Sequence, residues 1–215
     1  MDHAVIEKSQ KKVPWLIDYE PHLPEPLKLA RSTRQLKHIA TLRQTCYSKR
    51  YPAIKDFSTD PYDRKSVVIF TENSKGIKLS TARIVFDSEF GLPEDNVFGV
   101  VADGYRQRQL SIAELGRFVI LNPDISLLRA YYRAFFEIAL LSDTDIVLIV
   151  MRLKDRSFHE RLLGAEPLGI TAKHGFGSNH TFIAMRWVIA RTPRRFFKWI
   201  QSDSRVNRLL PGAGL

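Results

Sequence analysis

The chain has 215 residues, 44% hydrophobic and 26% charged, the size and balance of one generous soluble domain able to bury a core. No run approaches the roughly 18 apolar residues of a membrane span, the N-terminus lacks a signal-peptide layout, and the single cysteine, Cys46, excludes a disulfide framework and a cysteine-rich zinc site. We therefore expect a cytoplasmic protein without integral membrane association, and its formal charge of +10 biases it toward acidic partners. Nucleic acid is the weaker choice among these, because no helix-turn-helix, RNA-recognition or zinc-finger spacing accompanies the basic residues.

Residues 1–27 carry Pro14, Pro21, Pro24 and Pro26 with little periodicity and read as an extended arm. From Leu27 to about Tyr47, apolar residues recur at helical spacing (Leu29, Leu36, Ile39, Leu42, Cys46), which predicts one or two helices ended by Pro52. Asp60-Pro61-Tyr62-Asp63 reads as a turn. Strands follow at Ser66–Thr71 and Leu79–Asp87, joined by a hairpin turn over residues 72–76; in the second, Ala82, Ile84 and Phe86 form an apolar face and Arg83 lies on the other.

After a loop region comes the strand Glu114–Ile120, and Asn122-Pro123 opens a helix to about Leu141. Arg129, Arg133 and Glu137 fall four apart on its polar stripe, while Leu128, Tyr131, Phe135 and Ile138 supply the apolar one. Asp145–Met151 is nearly all apolar, as in a strand buried on both faces. Ser157–Leu163 is a short helix stopped by Gly164, Thr181–Ala190 a further strand, and Arg194 to about Leu210 a final amphipathic helix. The order defines one α/β domain over 28–190, a central mixed sheet flanked by helices, with the helical segment 191–215 packed on it.

Glu114 and Arg117 stand three apart at the head of a strand-like run. In a regular strand they point to opposite faces, unless a bulge inserts a residue between them, and Gly116 is where a bulge or a close approach to a ligand comes most easily. A solvent-facing ion pair is the plain alternative. Cys46 reads as a structural thiol and His159 as a satisfied helix residue, with substrate contact at the mouth of the site as its second reading. His174 and His180 flank a glycine-rich turn and lack a third ligand, so no metal site is expected.

Taken in order, Arg43 and Tyr47 in a helix, Asp60 and Asp63 in the following loop, Arg83 in a strand, then Glu114 and Arg117, resemble the signature of acyl-homoserine lactone (autoinducer) synthases and the related long-chain N-acyl amino acid synthases. The run from residue 114 to Gly169, with Phe158-His159-Glu160-Arg161-Leu162-Leu163-Gly164, is similar to the second half of the GNAT acyltransferase fold. The likeness covers roughly 28–190. Tyr51 is the nearest aromatic where lactone synthases carry a tryptophan, and Val85-Phe86 replaces their leucine-proline-threonine, so N-acyl amino acid synthase fits better.

The resemblance implies an N-acyltransferase that moves a medium or long fatty acyl chain from acyl carrier protein to the α-amine of an amino acid, aromatic ones such as tyrosine included. Acyl-homoserine lactone synthesis is the second reading; a non-catalytic basic module for an acidic protein, nucleic acid or membrane is the third. Glu114 is the implied general base, with Arg117 orienting it or Asp60 and Asp63. Arg43 or Arg83 would clamp the substrate carboxylate, and Phe118, Phe135 and Phe136 would line an acyl tunnel. Arg129, Arg133, Arg194 and Arg195 would form the carrier-docking face. Coenzyme A users hold the pyrophosphate in a glycine-rich loop where residues 121–126 here offer no glycine and an aspartate, a poor anion cradle. No cofactor is implied beyond the phosphopantetheine arm of the donor.

Overall fold

The structure, a computed structural model, describes residues 23–51, 60–173 and 180–202. Most of the proline-containing arm, residues 1–22, lies outside them, as do residues 174–179 and the end of the chain from 203. Helix α1 (Thr33–Arg50) follows the two-residue strand β1 (Lys28–Leu29) and starts at Ser32. The Ser32 hydroxyl accepts from Gln35 N at 3.2 Å while Gln35 Oε1 accepts from Ser32 N at 3.0 Å, a reciprocal cap. Strands β2 (Ser66–Glu72) and β3 (Lys78–Phe86) form the expected hairpin, closed by Asn73 Oδ1, which accepts from Lys75 N and Ile77 N at 3.0 Å each.

The segment read as a loop holds two helices, α2 (Asp95–Phe98) and α3 (Val100–Gln107). Gly99, at φ +45°, breaks the apolar spacing between them, and this hid the pattern. Strand β4 (Ile112–Ile120), helix α4 (Ile125–Leu141), strand β5 (Ile146–Arg152) and helix α5 (Arg156–Leu163) then follow. Helix α4 begins at Ile125 with Asp124 at its cap, two residues later than Asn122-Pro123 suggests. Gly164 ends α5 in the left-handed region at φ +68°.

Strand β6 (Glu166–Lys173) was not anticipated: Pro167 and Gly169 disguise it, and both are accommodated because β6 is an edge strand with a register shift between Pro167 and Thr171. Strand β7 (Thr181–Val188) turns at Ile189–Arg191 into helix α6 (Arg194–Gln201).

The seven strands run β1-β2-β3-β4-β5-β7-β6, every pair antiparallel except β4–β5. Alternation along the central strands divides the core. Ala113, Leu115, Val147 and Ile149 join α4 and Phe196 of α6 on one face, while Ile112, Ile146 and Leu148 meet Phe98, Ala102 and Tyr105 on the other. Val68 and Phe70 of β2 take Ile39 of α1. Helices thus cover both faces, which is why β2 and β5 read as nearly unbroken apolar runs.

Candidate functional site

Strands β4 and β5 pair only from Ile112↔Ile146 to Leu115↔Ile149. Beyond that, β5 continues alongside β7 and β4 alongside β3, so the sheet splits and a cavity of about 720 Å³ opens between the diverging ends. That volume lies within the range of small-ligand sites, roughly 300–1,000 Å³. Five successive residues, Glu114 to Phe118, line it.

On the β3 side, Arg83 pairs with Gly116 and Thr81 with Val119, so Arg117 and Phe118 stand together opposite Ala82. This two-against-one register is a β-bulge, and Arg117 adopts φ +56°, uncommon for a residue with a side chain. The strand is therefore bent rather than two-faced, and Glu114 and Arg117 reach the same cavity.

Glu114 is 4% exposed, and its Oε2 accepts from the Glu94 main-chain N–H at 2.9 Å. Burial pushes its carboxyl up to about 8, against the pull of that amide bond and of the Arg83 and Arg117 guanidiniums. It is a carboxylate poised to exchange a proton near neutral pH.

Behind it runs a buried ion network. Asp63 receives Arg43 Nη1 at 2.6 Å and Arg83 Nη1 at 2.8 Å; Asp60 receives Arg83 Nη1 at 2.6 Å and Arg117 Nε at 2.9 Å. Burial alone would raise the Asp60 carboxyl, and Arg83 and Arg117 outweigh it, holding the group at about 2. Of the four residues expected to bind substrate, only Arg83 lines the cavity; Arg43, Asp60 and Asp63 do not. They tie α1 and the turn at 60–65 to β3 and the bulge, since each carboxylate already bridges two guanidiniums. Arg83 meets both aspartates through Nη1, and its buried Nε has no hydrogen-bond partner among the described residues.

Apolar lining comes from Phe118, Leu128 of α4, Ile149 and Met151 of β5, Phe158 of α5 and Phe182 of β7. Phe118 is thus in the expected place, but Phe135 and Phe136 are not. Phe135 is sealed behind Phe118, Tyr131 and Tyr132, and Phe136 packs on Trp187, Phe196 and Phe197. Helical spacing identified the apolar stripe of α4 but not which part of it meets the cleft.

His159 lines the cavity as well, and it is a satisfied helix residue. Its Nδ1–H donates to Asp155 O at 2.9 Å, leaving Nε2 to accept from Tyr132 Oη at 2.5 Å. Burial lowers its pKa, so the ring is neutral. Tyr51 of the first helix's end and Glu94 before α2 complete the polar side. Nothing in the local sequence marks Glu94, which only the folding of residues 88–98 over β4 brings to the site.

The expected docking arginines separate into two pairs. Arg133 is only 11% exposed and binds Glu137 at 2.8 Å, and the Arg129 guanidinium lies 5.7 Å over the Trp199 ring. Arg194 and Arg195 are exposed at the start of α6, Arg195 donating to the Arg161 and Glu160 carbonyls. At the head of α4, Asp124 accepts from the Ser126 hydroxyl, a bond that holds its carboxyl below the usual range. Among the described residues no three His, Cys, Asp or Glu converge as metal ligands, and no helix is long and apolar enough to cross a membrane.

The overall fold is shared with solved acyltransferases. FeeM, an N-acyl amino acid synthase from uncultured soil microbes, superposes with TM-score 0.63 at 19% identity, over 77% of this chain and 90% of that one. The acyl-homoserine lactone synthase LasI gives 0.58 at 18%, over 76% and 89%. The coenzyme A-dependent lactone synthase BjaI gives 0.56 at 16%, over 83% and 84%. The fold is that of the GNAT-like acyltransferases. A search of curated proteins by sequence finds no match. The family model for the N-acyl amino acid synthase FeeM matches residues 38–187, and the chain belongs to that family of acyltransferases.

Proposed function

We propose that the enzyme transfers a medium or long fatty acyl chain from acyl carrier protein to the α-amine of an amino acid, aromatic ones such as tyrosine included. The observation that carries this reading is the position of Glu114, buried three residues before the bulge and lining a cavity that also has apolar walls. The acyl chain would lie among Phe118, Leu128, Met151 and Phe158, leaving its thioester carbonyl at the bulge, where main-chain N–H groups of Gly116–Phe118 can face the oxyanion; such a donor contributes about 3–4 kcal/mol in comparable sites. Arg83, the one guanidinium of the Asp63 pair that lines the cavity, takes the amino-acid carboxylate.

The reaction needs the amine neutral. Its nitrogen attacks the thioester carbon, the C–N bond forms as the C–S bond breaks, and the proton lost by nitrogen ends on the departing sulfur. Glu114 is the group placed to carry that proton, with no covalent enzyme intermediate. A carboxyl raised to about 8 is a stronger base toward the substrate amine than an ordinary carboxylate, which brings the two groups closer in proton affinity.

For the donor, Asp124 caps the helix where a pyrophosphate would have to sit, and like charge disfavours it there. An acidic carrier needs no such cradle, delivers its acyl group on a phosphopantetheine arm, and suits a protein of charge +10. The exposed pair Arg194 and Arg195 leads the docking face, with Arg129 and Arg133 at its margin. Such a carrier also implies a cytoplasmic setting. Purified enzyme supplied with acyl carrier protein or acyl-coenzyme A and a panel of amino acids, read by mass spectrometry, tests this. We expect an N-acyl amino acid from the carrier-bound donor. Equal turnover of acyl-coenzyme A would overturn the donor assignment, and no amide from either would overturn the reaction.

A further inference from the structure

Glu94 sits just before α2, and its backbone is fixed. Its N–H is bound to Glu114, while next to it Leu92 N donates to Asp95 Oδ2 at 2.9 Å. Arg106 Nη2 spans Asp95 at 2.7 Å and Asp87 at 2.8 Å, tying the segment to the end of β3. The Glu94 side chain is half-buried, lines the cavity, and has no hydrogen-bond or ion-pair partner among the described residues.

The cavity is otherwise a poor place for a cation. Arg83, Arg117 and Arg152 all line it. Three carboxyl groups face them. Asp155 is bound to Arg152 Nε at 2.8 Å, and Glu114 is kept largely protonated at neutral pH by burial, which leaves Glu94. An amino acid arrives with its nitrogen as an ammonium. Arg152 is offset by Asp155, but Arg43, Arg83 and Arg117 share only Asp60 and Asp63, and the positive charge left over repels the ammonium unless an anion stands where it must bind.

We infer that the Glu94 carboxylate receives the α-ammonium of the incoming amino acid and sets its nitrogen beside Glu114, while Arg83 holds the carboxylate at the other end. This inference rests on the amino-acid acylation reading. The cavity then recognises a zwitterion by two fixed opposite charges. The ionised form of Glu114 takes the proton that turns the ammonium into an amine and releases it to solvent, and the second proton, lost from nitrogen on attack, leaves with the sulfur. The charged groups that act on Glu94 from β4 are Glu114 and Arg117.

Glu94→Gln keeps the main-chain N–H that binds Glu114, so the fold and melting temperature should be preserved. We expect KM for the amino acid to rise at least about tenfold, as for loss of a charged hydrogen-bond partner, with KM for the acyl donor unchanged. Removing the neighbouring negative charge should also move the acid limb of kcat/KM to lower pH, and Glu94→Asp should recover part of both effects. Calorimetric binding of the amino acid and of its des-amino analogue gives a second readout. The wild type should prefer the amino acid, and Glu94→Gln should lose that preference. A wild type that makes amide, paired with a variant that keeps the preference and the KM, overturns the role of Glu94 alone. A wild type that neither binds amino acid nor makes amide overturns this inference together with the reaction.

Discussion

The role proposed for Glu114 and its effect on stability pull in opposite directions. Its folded pKa of about 8 lies above the ordinary 4.5, so between those values the unfolded chain has released a proton that the folded protein still holds. The stability it contributes is complete below 4.5 and is lost as pH rises through 8. Glu114→Gln, uncharged throughout, should therefore be more stable than wild type at pH 8 by roughly 2–4 kcal/mol, and the two should converge near pH 4.5 in thermal melts. The variant's turnover should fall about 10²–10⁴-fold. Asp63→Ala has the opposite profile. It leaves Arg43 and Arg83 facing each other in the core, and a loss of about 3–5 kcal/mol in denaturant unfolding is expected, whereas a loss below about 1 kcal/mol would show the network to be dispensable. At this scale the family resemblance singled out Glu114 and Arg117, and a bulge near Gly116 was one of the two local readings of their spacing, the one the cavity bears out. Glu94 was not legible in the sequence, because its place depends on a fold-back over β4 that no periodicity records.

Among the elements, β4 carries the site because it changes neighbours halfway along. It pairs with β5 up to Leu115, then parts from it while the bulge at Arg117 re-aims the backbone. The apolar run of β4 and the glycine at 116 made a bend foreseeable; the bulge itself falls one residue on. The parting of β4 and β5 arises from partners on either side and has no local signature. The helix α4 supplied both a success and an error. Its two stripes were readable, yet the wall of the cavity is Leu128, one turn into the helix, whereas Phe135 and Phe136 lie deeper against the sheet and α6. Leu128→Trp should fill the apolar end and shift the preferred acyl chain to shorter lengths, each excluded methylene costing about 0.8 kcal/mol, or about fourfold in kcat/KM. An unchanged chain-length profile across a series of acyl donors would place the acyl group elsewhere.

For the molecule as a whole, the excess of positive charge acts through diffusion rather than through the fold. With an acidic carrier as donor, kcat/KM should fall steeply with added salt while kcat stays nearly constant, because screening weakens encounter and not chemistry. Replacing Arg194 and Arg195 together by Ala should lower kcat/KM for the carrier-bound donor several-fold and flatten that salt dependence. An unaltered salt response would move the docking face away from α6. The domain class and the order of the main elements could be read from composition and periodicity, since both faces of the sheet are buried by helices. The edge strand β6 escaped, because an edge tolerates the proline and glycine that normally argue against a strand.

The central claim is that a buried carboxyl at the parting of β4 and β5 moves the proton during amide formation. The most direct measurement is the pH dependence of single-turnover amide formation with a saturating, pre-bound acyl donor, for wild type and Glu114→Gln. The wild-type rate should rise with pH to a plateau above about 8, and the variant should be slow with that limb removed. A Glu114→Gln enzyme retaining the wild-type rate and the same limb would contradict the account.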